Sequence, residues 1–260
     1  MQLENILFRV EEGVGVATFH RPKALNALDR RSVAEFAHLL DAVAADRALR
    51  ALVLTGSGER AFVAGADISE MSRLTAAEAR QFAEEGQRVL ARLEALSVPT
   101  IAAVNGFALG GGCEITLACD LVYANEKAFF GQPEVNLGII PGFGGTQRLP
   151  RRVGPMRAKE LILGGDMIDA KRAKDIGLCL EVLSQSELMP YVMGQAKKIA
   201  TRGPLAVASA KRAMDLASTA SLAAFYPFEA AAFALLCASE DAREGMGAFL
   251  EKRTAAFKGG

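Results

Sequence analysis

Apolar residues recur along this chain with two different periods, and the switches between them lay out its elements. The short β-rich runs Ile6-Leu7-Phe8 and Val14-Gly15-Val16-Ala17-Thr18-Phe19 flank Glu11-Glu12-Gly13 and predict a hairpin at the start of a sheet. Helical spacing follows: Val33, Phe36, Ala37, Leu40, Val43 and Ala44 share one face of a helix reaching about Ala45, with Asp29 as its N-cap. Ala51-Leu52-Val53-Leu54-Thr55 is apolar almost without interruption, the pattern of a strand buried on both faces. Thr75 to Leu96 predicts an amphipathic helix and Val98 to Val104 a buried strand. Cys113 to Cys119 predicts the first turns of a buried helix, and Leu121 to Ala124 a further strand. Strand, loop and helix in repeated order imply βαβ crossovers and an α/β fold with a largely parallel sheet, its ligand site at the strand ends.

The pattern then changes. A glycine cluster, Gly142 to Gly145, precedes a short helix through Arg152 that Thr146 is placed to cap. Beyond Gly154 the spacing is helical, with Leu178 to Leu183 the one β-like interruption. The last third predicts helices at Glu187 to Thr201, Pro204 to Ala217, Leu222 to Ala238 and Asp241 to Ala256, with Pro204 well suited to a first helical position. Phe225, Phe228, Phe233, Leu235 and Leu236 give this tail more apolar surface than a small bundle needs, which predicts packing between subunits. The expected division is a core carrying the site over residues 1–200 and a helical oligomerisation region over residues 201–260.

Composition narrows the function. At 260 residues and 51% apolar, the chain can bury a large core. Lys plus Arg (30) balance Asp plus Glu (30), so net charge offers no footprint for nucleic acid or an anionic membrane. Cys113, Cys119, Cys179 and Cys237 form no CxxC pair, and only His20 and His38 could join them, which argues against zinc. Reduced thiols, and an acidic start (MQLENILFRVEE) unlike a secretory or transit leader, predict a cytoplasmic protein. The apolar tract Leu222 to Ala238 contains Pro227 and Glu229 and falls short of the roughly 20 residues a membrane span needs. No GxGxxG, GxSxG or P-loop pattern is present.

The candidate chemistry lies between Asn105 and Glu134. Gly110, Gly111 and Gly112 run directly into the Cys113 helix, leaving bare N–H groups at a helix N-terminus, a setting that suits an oxygen acquiring negative charge. Glu114 falls one turn inside an apolar segment, where desolvation raises a carboxyl pKa towards neutrality. Glu134 follows in Gly131-Gln132-Pro133-Glu134. Two carboxyl groups beside an oxyanion site point to acid and base work on a carbonyl compound. Taken singly, Glu114 also fits a buried acid paired with an arginine, Glu134 a turn residue, and the glycines a tight packing point. The direct junction of glycines and Glu114 favours the functional reading.

Asn105-Gly106-Phe107-Ala108-Leu109-Gly110-Gly111-Gly112-Cys113-Glu114 closely resembles the crotonase family, in particular its enoyl-CoA hydratases. Further motifs match in family order: Arg21 to Leu28, Ala61-Phe62 with Ala64 to Ile68, Phe130 to Glu134, Leu137-Gly138 with Pro141-Gly142, Gly144 to Leu149, and Phe249 to Arg253. The resemblance implies a spiral of ββα turns, a helical C-terminal region and trimers paired into a homo-hexamer. It implies that the N–H groups of Ala66 and Gly111 hold the thioester oxygen as enolate character develops. It also implies that Glu114 and Glu134 add water across a 2-enoyl-CoA double bond without a separate cofactor, coenzyme A entering as part of the substrate. Lys23, Ala24 and Leu25 resemble the coenzyme A contact. Ala64, Asp67, Ile68 and Gly142 resemble substrate-binding positions, and Phe249 and Lys252 resemble residues lent by a neighbouring subunit. The alternatives are an isomerase of the family, or a silent acyl-CoA- or RNA-binding relative. His20, Ser69 and Phe143 depart from the family pattern: Ser69 replaces a frequent lysine and bears on a phosphate contact, and Phe143 replaces a small residue and bears on the acyl pocket.

Overall fold

Glu12 and Gly13, both with positive φ (50° and 78°), reverse the chain between β1 (Ile6–Glu11) and β2 (Val14–Phe19). This hairpin pairs antiparallel and opens the first of two sheets. A computed structural model describes residues 3–217 and 221–260; the first two residues of the acidic start, Met1 and Gln2, and residues 218–220 of the C-terminal region lie outside them. After the hairpin the chain repeats one move. A strand enters the first sheet, the next strand enters a second sheet, and helical structure returns the chain.

The pairs are β3 (Ala51–Gly56) with β4 (Ala61–Val63), β5 (Thr100–Val104) with β6 (Phe107–Leu109), and β7 (Leu121–Asn125) with β8 (Phe129–Gly131). β9 (Met167–Asp169) and β10 (Glu181–Leu183) complete the two sheets. The six-stranded sheet has the order β1-β2-β3-β5-β7-β10 and is parallel throughout apart from the β1–β2 hairpin. The four-stranded sheet has the order β4-β6-β8-β9. These are stacked ββα turns, as the resemblance implies.

Both faces of the larger sheet are buried, as the apolar run at β3 predicts. Leu52 and Leu54 face a core shared with Phe36, Leu40 and Leu90, while Ala51 and Val53 face Leu188, Val192 and Ala196. Asp29 caps the helix Arg30–Ala45 by accepting from the Ser32 N–H at 2.7 Å. Thr75 and Glu78 form a capping box on the helix Ala76–Ala95.

Three expectations are corrected. The second sheet was not foreseen, because each of its strands is only three residues long. Gly144, at φ 104°, caps the helix Gly145–Val153, so Thr146 lies inside it. The last helix ends at Leu250 rather than near Ala256: Lys252 turns left-handed at φ 56°, and the tail amides of Ala256, Lys258 and Gly259 bond to Glu244 and Asp241 instead.

Candidate active site

The central helix runs Gly111–Ala118, two residues earlier than the sequence pattern places it, and every residue in it is buried. A Cβ on Gly112 would collide with the Val63 carbonyl, so only glycine lets this helix start against β4. Gly110 (φ 49°) turns the chain out of β6 and donates its N–H to the Gly131 carbonyl at 3.0 Å. Glu114 therefore sits one turn inside the helix, 1% exposed.

Its carboxylate is held by a distant loop. Glu114 Oε1 accepts from the Phe143 N–H at 2.8 Å and the Gly145 N–H at 2.7 Å. Burial pushes the Glu114 pKa up to about 7; the nearby Glu134 charge adds to the rise, while the two N–H groups and Arg148 oppose it. Glu134 stands in the short 3-10 turn Pro133–Leu137, and burial raises its pKa too. A Cβ on Gly110 would lie 2.8 Å from Glu134 Oε1, so the carboxylate rests against bare glycine backbone. The fully buried amide of Gln132 lies 3.1 and 3.0 Å from the two Glu134 carboxylate oxygens, and since a carboxylate only accepts, the amide is assigned with its nitrogen towards Glu134. Burial pushes the Cys113 thiol up to about 12, so this neighbour is a protonated core residue rather than a nucleophile.

Two backbone donors complete the constellation. At a parallel bridge between Leu28 and Ala66, the Leu28 N–H bonds to Gly65 and the Asp67 N–H to Leu28, both at 2.8 Å, so this pairing does not use the Ala66 N–H. Gly111 is the first helical residue, and its N–H has no acceptor within the helix. Ala66, Gly111, Glu114 and Glu134 all line one cavity of about 930 Å³. Ala64, Ile68 and Gly142 line it as well.

Other predicted site residues lie elsewhere. The Asp67 carboxylate is taken up by Arg21 (2.9 Å), the Ser69 N–H (3.1 Å) and the Ser69 hydroxyl (2.7 Å), capping the helix Ile68–Met71. Lys23, Ala24 and Leu25 form a short turn beside the site, joined to it where the Ala64 N–H donates to the Leu25 carbonyl at 3.1 Å. Phe249, 83% exposed, and Lys252 lie on the C-terminal arm and do not line the cavity.

Sequence reasoning marked Phe143 as a departure bearing on the acyl pocket, and it lines the cavity, but the rest of the apolar wall was missed. Phe82 and Phe143 meet edge to face at 5.2 Å, and Gly86 gives the Phe143 ring its seat, since a Cβ there would strike the ring. A lone glycine inside the amphipathic helix Ala76–Ala95 was the available signal. The clamp on Glu114 was equally unseen, although the cluster Gly142 to Gly145 marks its place. Among the described residues no group of three or more His, Cys, Asp or Glu side chains is arranged to hold a metal.

The family model described as enoyl-CoA hydratase/isomerase matches residues 9–260. A crotonyl-CoA hydratase of Syntrophomonas wolfei is 49% identical over 99% of both chains. A short-chain-enoyl-CoA hydratase of Clostridium acetobutylicum is 47% identical over 97% of both. The crystal structure of an enoyl-CoA hydratase from Bacillus anthracis superposes with a TM-score of 0.96 at 38% identity, covering 99% of this chain and all of that one. Sequence, fold and the convergence of two glutamates with two backbone donors agree, and the chain belongs to the enoyl-CoA hydratase/isomerase family.

Proposed function

We propose that the protein is an enoyl-CoA hydratase that adds water reversibly across the double bond of a 2-enoyl-CoA to give a 3-hydroxyacyl-CoA. The observation that carries this reading is the meeting of Glu114, Glu134 and the Ala66 and Gly111 backbone in one largely apolar cavity. The N–H groups of Ala66 and Gly111 receive the thioester oxygen, each such donor being worth about 3 kcal/mol once the oxygen carries charge. One glutamate takes a proton from water as its oxygen bonds to C3, and the π electrons move towards the thioester oxygen. The resulting enolate takes a proton at C2 from a carboxyl group, so water is added whole and no electrons leave. A carboxyl pKa near 7, as for Glu114, keeps both protonation states populated at neutral pH.

The proposal extends to a short acyl chain. The Phe143 ring, packed on Phe82 and seated over Gly86, lines the cavity together with Glu114, and a Cβ on Gly111 would come within 3.5 Å of it. The chemistry needs no separate cofactor, with coenzyme A held as part of the substrate along Lys23, Ala24 and Leu25. Residues 201–260 serve as the oligomerisation region of a homo-hexamer whose neighbours bring Phe249 and Lys252 to the coenzyme A. Leu222 (70% exposed), Phe233 (69%) and Leu235 (76%) support this, standing outward on the helix Leu222–Cys237. Four free cysteines support a reducing cytoplasm.

The test is loss of the conjugated enoyl-thioester absorbance on mixing the protein with a short 2-enoyl-CoA. Hydration by wild type, lost in Glu114→Gln and Glu134→Gln, supports the proposal. Turnover of a 3-enoyl-CoA without hydration would instead make the protein an isomerase, and binding without turnover a silent relative.

A further inference from the structure

Glu114 is held by a loop, and that loop is in turn held by two charged side chains outside the substrate cavity. We infer that Glu94 and Arg148 are a positioning pair for Glu114, fixing the Gly142–Gly145 loop so that its N–H groups stay aimed at Glu114 Oε1. The inference rests on the reading of Glu114 as a catalytic group.

Arg148 Nε and Nη2 donate to the two Glu94 carboxylate oxygens, each at 2.7 Å, and the third guanidinium nitrogen, Nη1, donates to the Phe143 carbonyl at 2.6 Å. Phe143 is thus the link: its N–H bonds to Glu114 and its carbonyl accepts from Arg148. A bidentate guanidinium–carboxylate pair has one preferred plane, so Glu94 fixes the direction in which Nη1 points. The Arg148 side chain is 15% exposed, which shields the pair from water on the arginine side.

The pair does not touch the substrate cavity. Glu94 and Arg148 line a second cavity of about 990 Å³, between the helices Ala76–Ala95, Gly145–Val153 and Pro204–Ala217. Arg151, Arg152, Lys211, Arg212 and Asp215 also line it, while Cys113 and Glu134 are the titratable neighbours of Glu114 on the other side. Arg152 is engaged with the carbonyls of Leu117 and Cys119, and Lys211 with Asp120 at 2.8 Å. Arg148 is the charged side chain that grips the loop at Phe143, beside the Gln87 amide, which donates to the Gly142 carbonyl at 2.9 Å.

Loss of Arg148 acts on Glu114 in one direction. The Arg148 charge and the two N–H groups all hold the Glu114 pKa down against burial. Weakening them raises it, so the limb of the pH–rate profile set by Glu114 moves to higher pH, whichever proton transfer that limb reports.

The experiment compares kcat, KM and the pH profile of 2-enoyl-CoA hydration in wild type, Glu94→Gln, Arg148→Met, Arg148→Lys and Glu114→Gln, with Tm recorded for each. For Arg148→Met the expected loss is about tenfold in kcat, and for Glu94→Gln about threefold, with KM within about twofold in both and the Glu114 limb displaced upward in Arg148→Met, which removes a charge that holds that pKa down. Arg148→Lys, which keeps the charge but not the fork, is expected to recover part of the loss. Wild-type kcat in folded Glu94→Gln and Arg148→Met enzymes, with an unmoved limb in Arg148→Met, would overturn the pair, as would activity falling only in step with Tm. If Arg148→Met does not fold, Glu94→Gln, on a side chain 42% exposed, decides the matter alone. A fully active Glu114→Gln enzyme overturns the catalytic reading beneath the pair. An inactive one beside wild-type behaviour of the Glu94 and Arg148 variants overturns the pair alone.

Discussion

Among the described residues two glutamates are almost entirely buried, Glu35 at 6% exposure and Glu114 at 1%, and their chemistry is opposite. Burial raises the pKa of Glu35, but the N–H groups of Glu4 and Asn5 and the side chain of Arg31 outweigh it and leave the group below its usual range. Glu35 receives Glu4 N–H at 3.1 Å to both oxygens, Asn5 N–H at 2.8 Å and Arg31 Nε at 2.8 Å. Glu114 receives two N–H groups on a single oxygen, with a second carboxylate nearby and the nearest arginine turned towards Glu94. The contrast shows that burial alone does not make an acid–base group; the supply of donors decides. Glu35 is the buried, arginine-paired acid that Glu114 could have been.

The sharpest way to break this comparison is to remove each charge. Glu114→Gln and Glu134→Gln are each expected to lower hydration kcat by about 10² to 10⁴ with the fold intact, read by steady-state kinetics beside circular dichroism. Glu35→Gln is expected to leave kcat per folded molecule unchanged and to cost about 1–3 kcal/mol in denaturant unfolding, because the part-buried N–H groups of Glu4 and Asn5 and the Arg31 guanidinium lose a charged acceptor. If the two sets of effects change places, the comparison fails.

A smaller effect sharpens it. Gly110→Ala puts a methyl group against Glu134 Oε1 at a positive-φ position, so the carboxylate must move. A kcat loss of about tenfold is expected from displacing the Glu134 carboxylate. The smallest effect is in stability against pH. Glu114's folded pKa, about 7, lies above its ordinary value of 4.5, so its contribution is fully present below the unfolded pKa and is lost as pH rises through the folded one. Glu35 has the opposite sign: its contribution is present above the unfolded pKa and is lost as pH falls through its lowered folded value. Tm measured between pH 5 and 8 is expected to fall less in Glu114→Gln than in wild type, while Glu35→Gln flattens the acid side below about pH 4.5.

The sequence made the larger sheet legible because β3 and β5 are long enough to show unbroken apolar runs, and the helix starts because Asp29 and Thr75 are local capping signals. Glu114, Glu134, Ala66 and Gly111 were legible through motif order, and the cavity gathers all four. Three-residue strands such as β4 carry no period to read. What separates Glu114 from Glu35 was illegible for a different reason: both are glutamates in helices, and although Arg31 stands only four residues from Glu35, the backbone donors to both groups come from 29 to 31 residues away in sequence. Phe249 and Lys252 lie apart from the cavity within one chain, so a site that includes them cannot be assembled from this chain alone.

The most direct test of the central claim is a carboxyl titration by NMR on protein labelled at glutamate side chains, with Glu114→Gln and Glu35→Gln spectra supplying the assignments. A Glu114 carboxyl that titrates near pH 7, beside a Glu35 carboxyl that titrates below the ordinary range, is the predicted result. Glu114 and Glu35 titrating together below about pH 5 would contradict it.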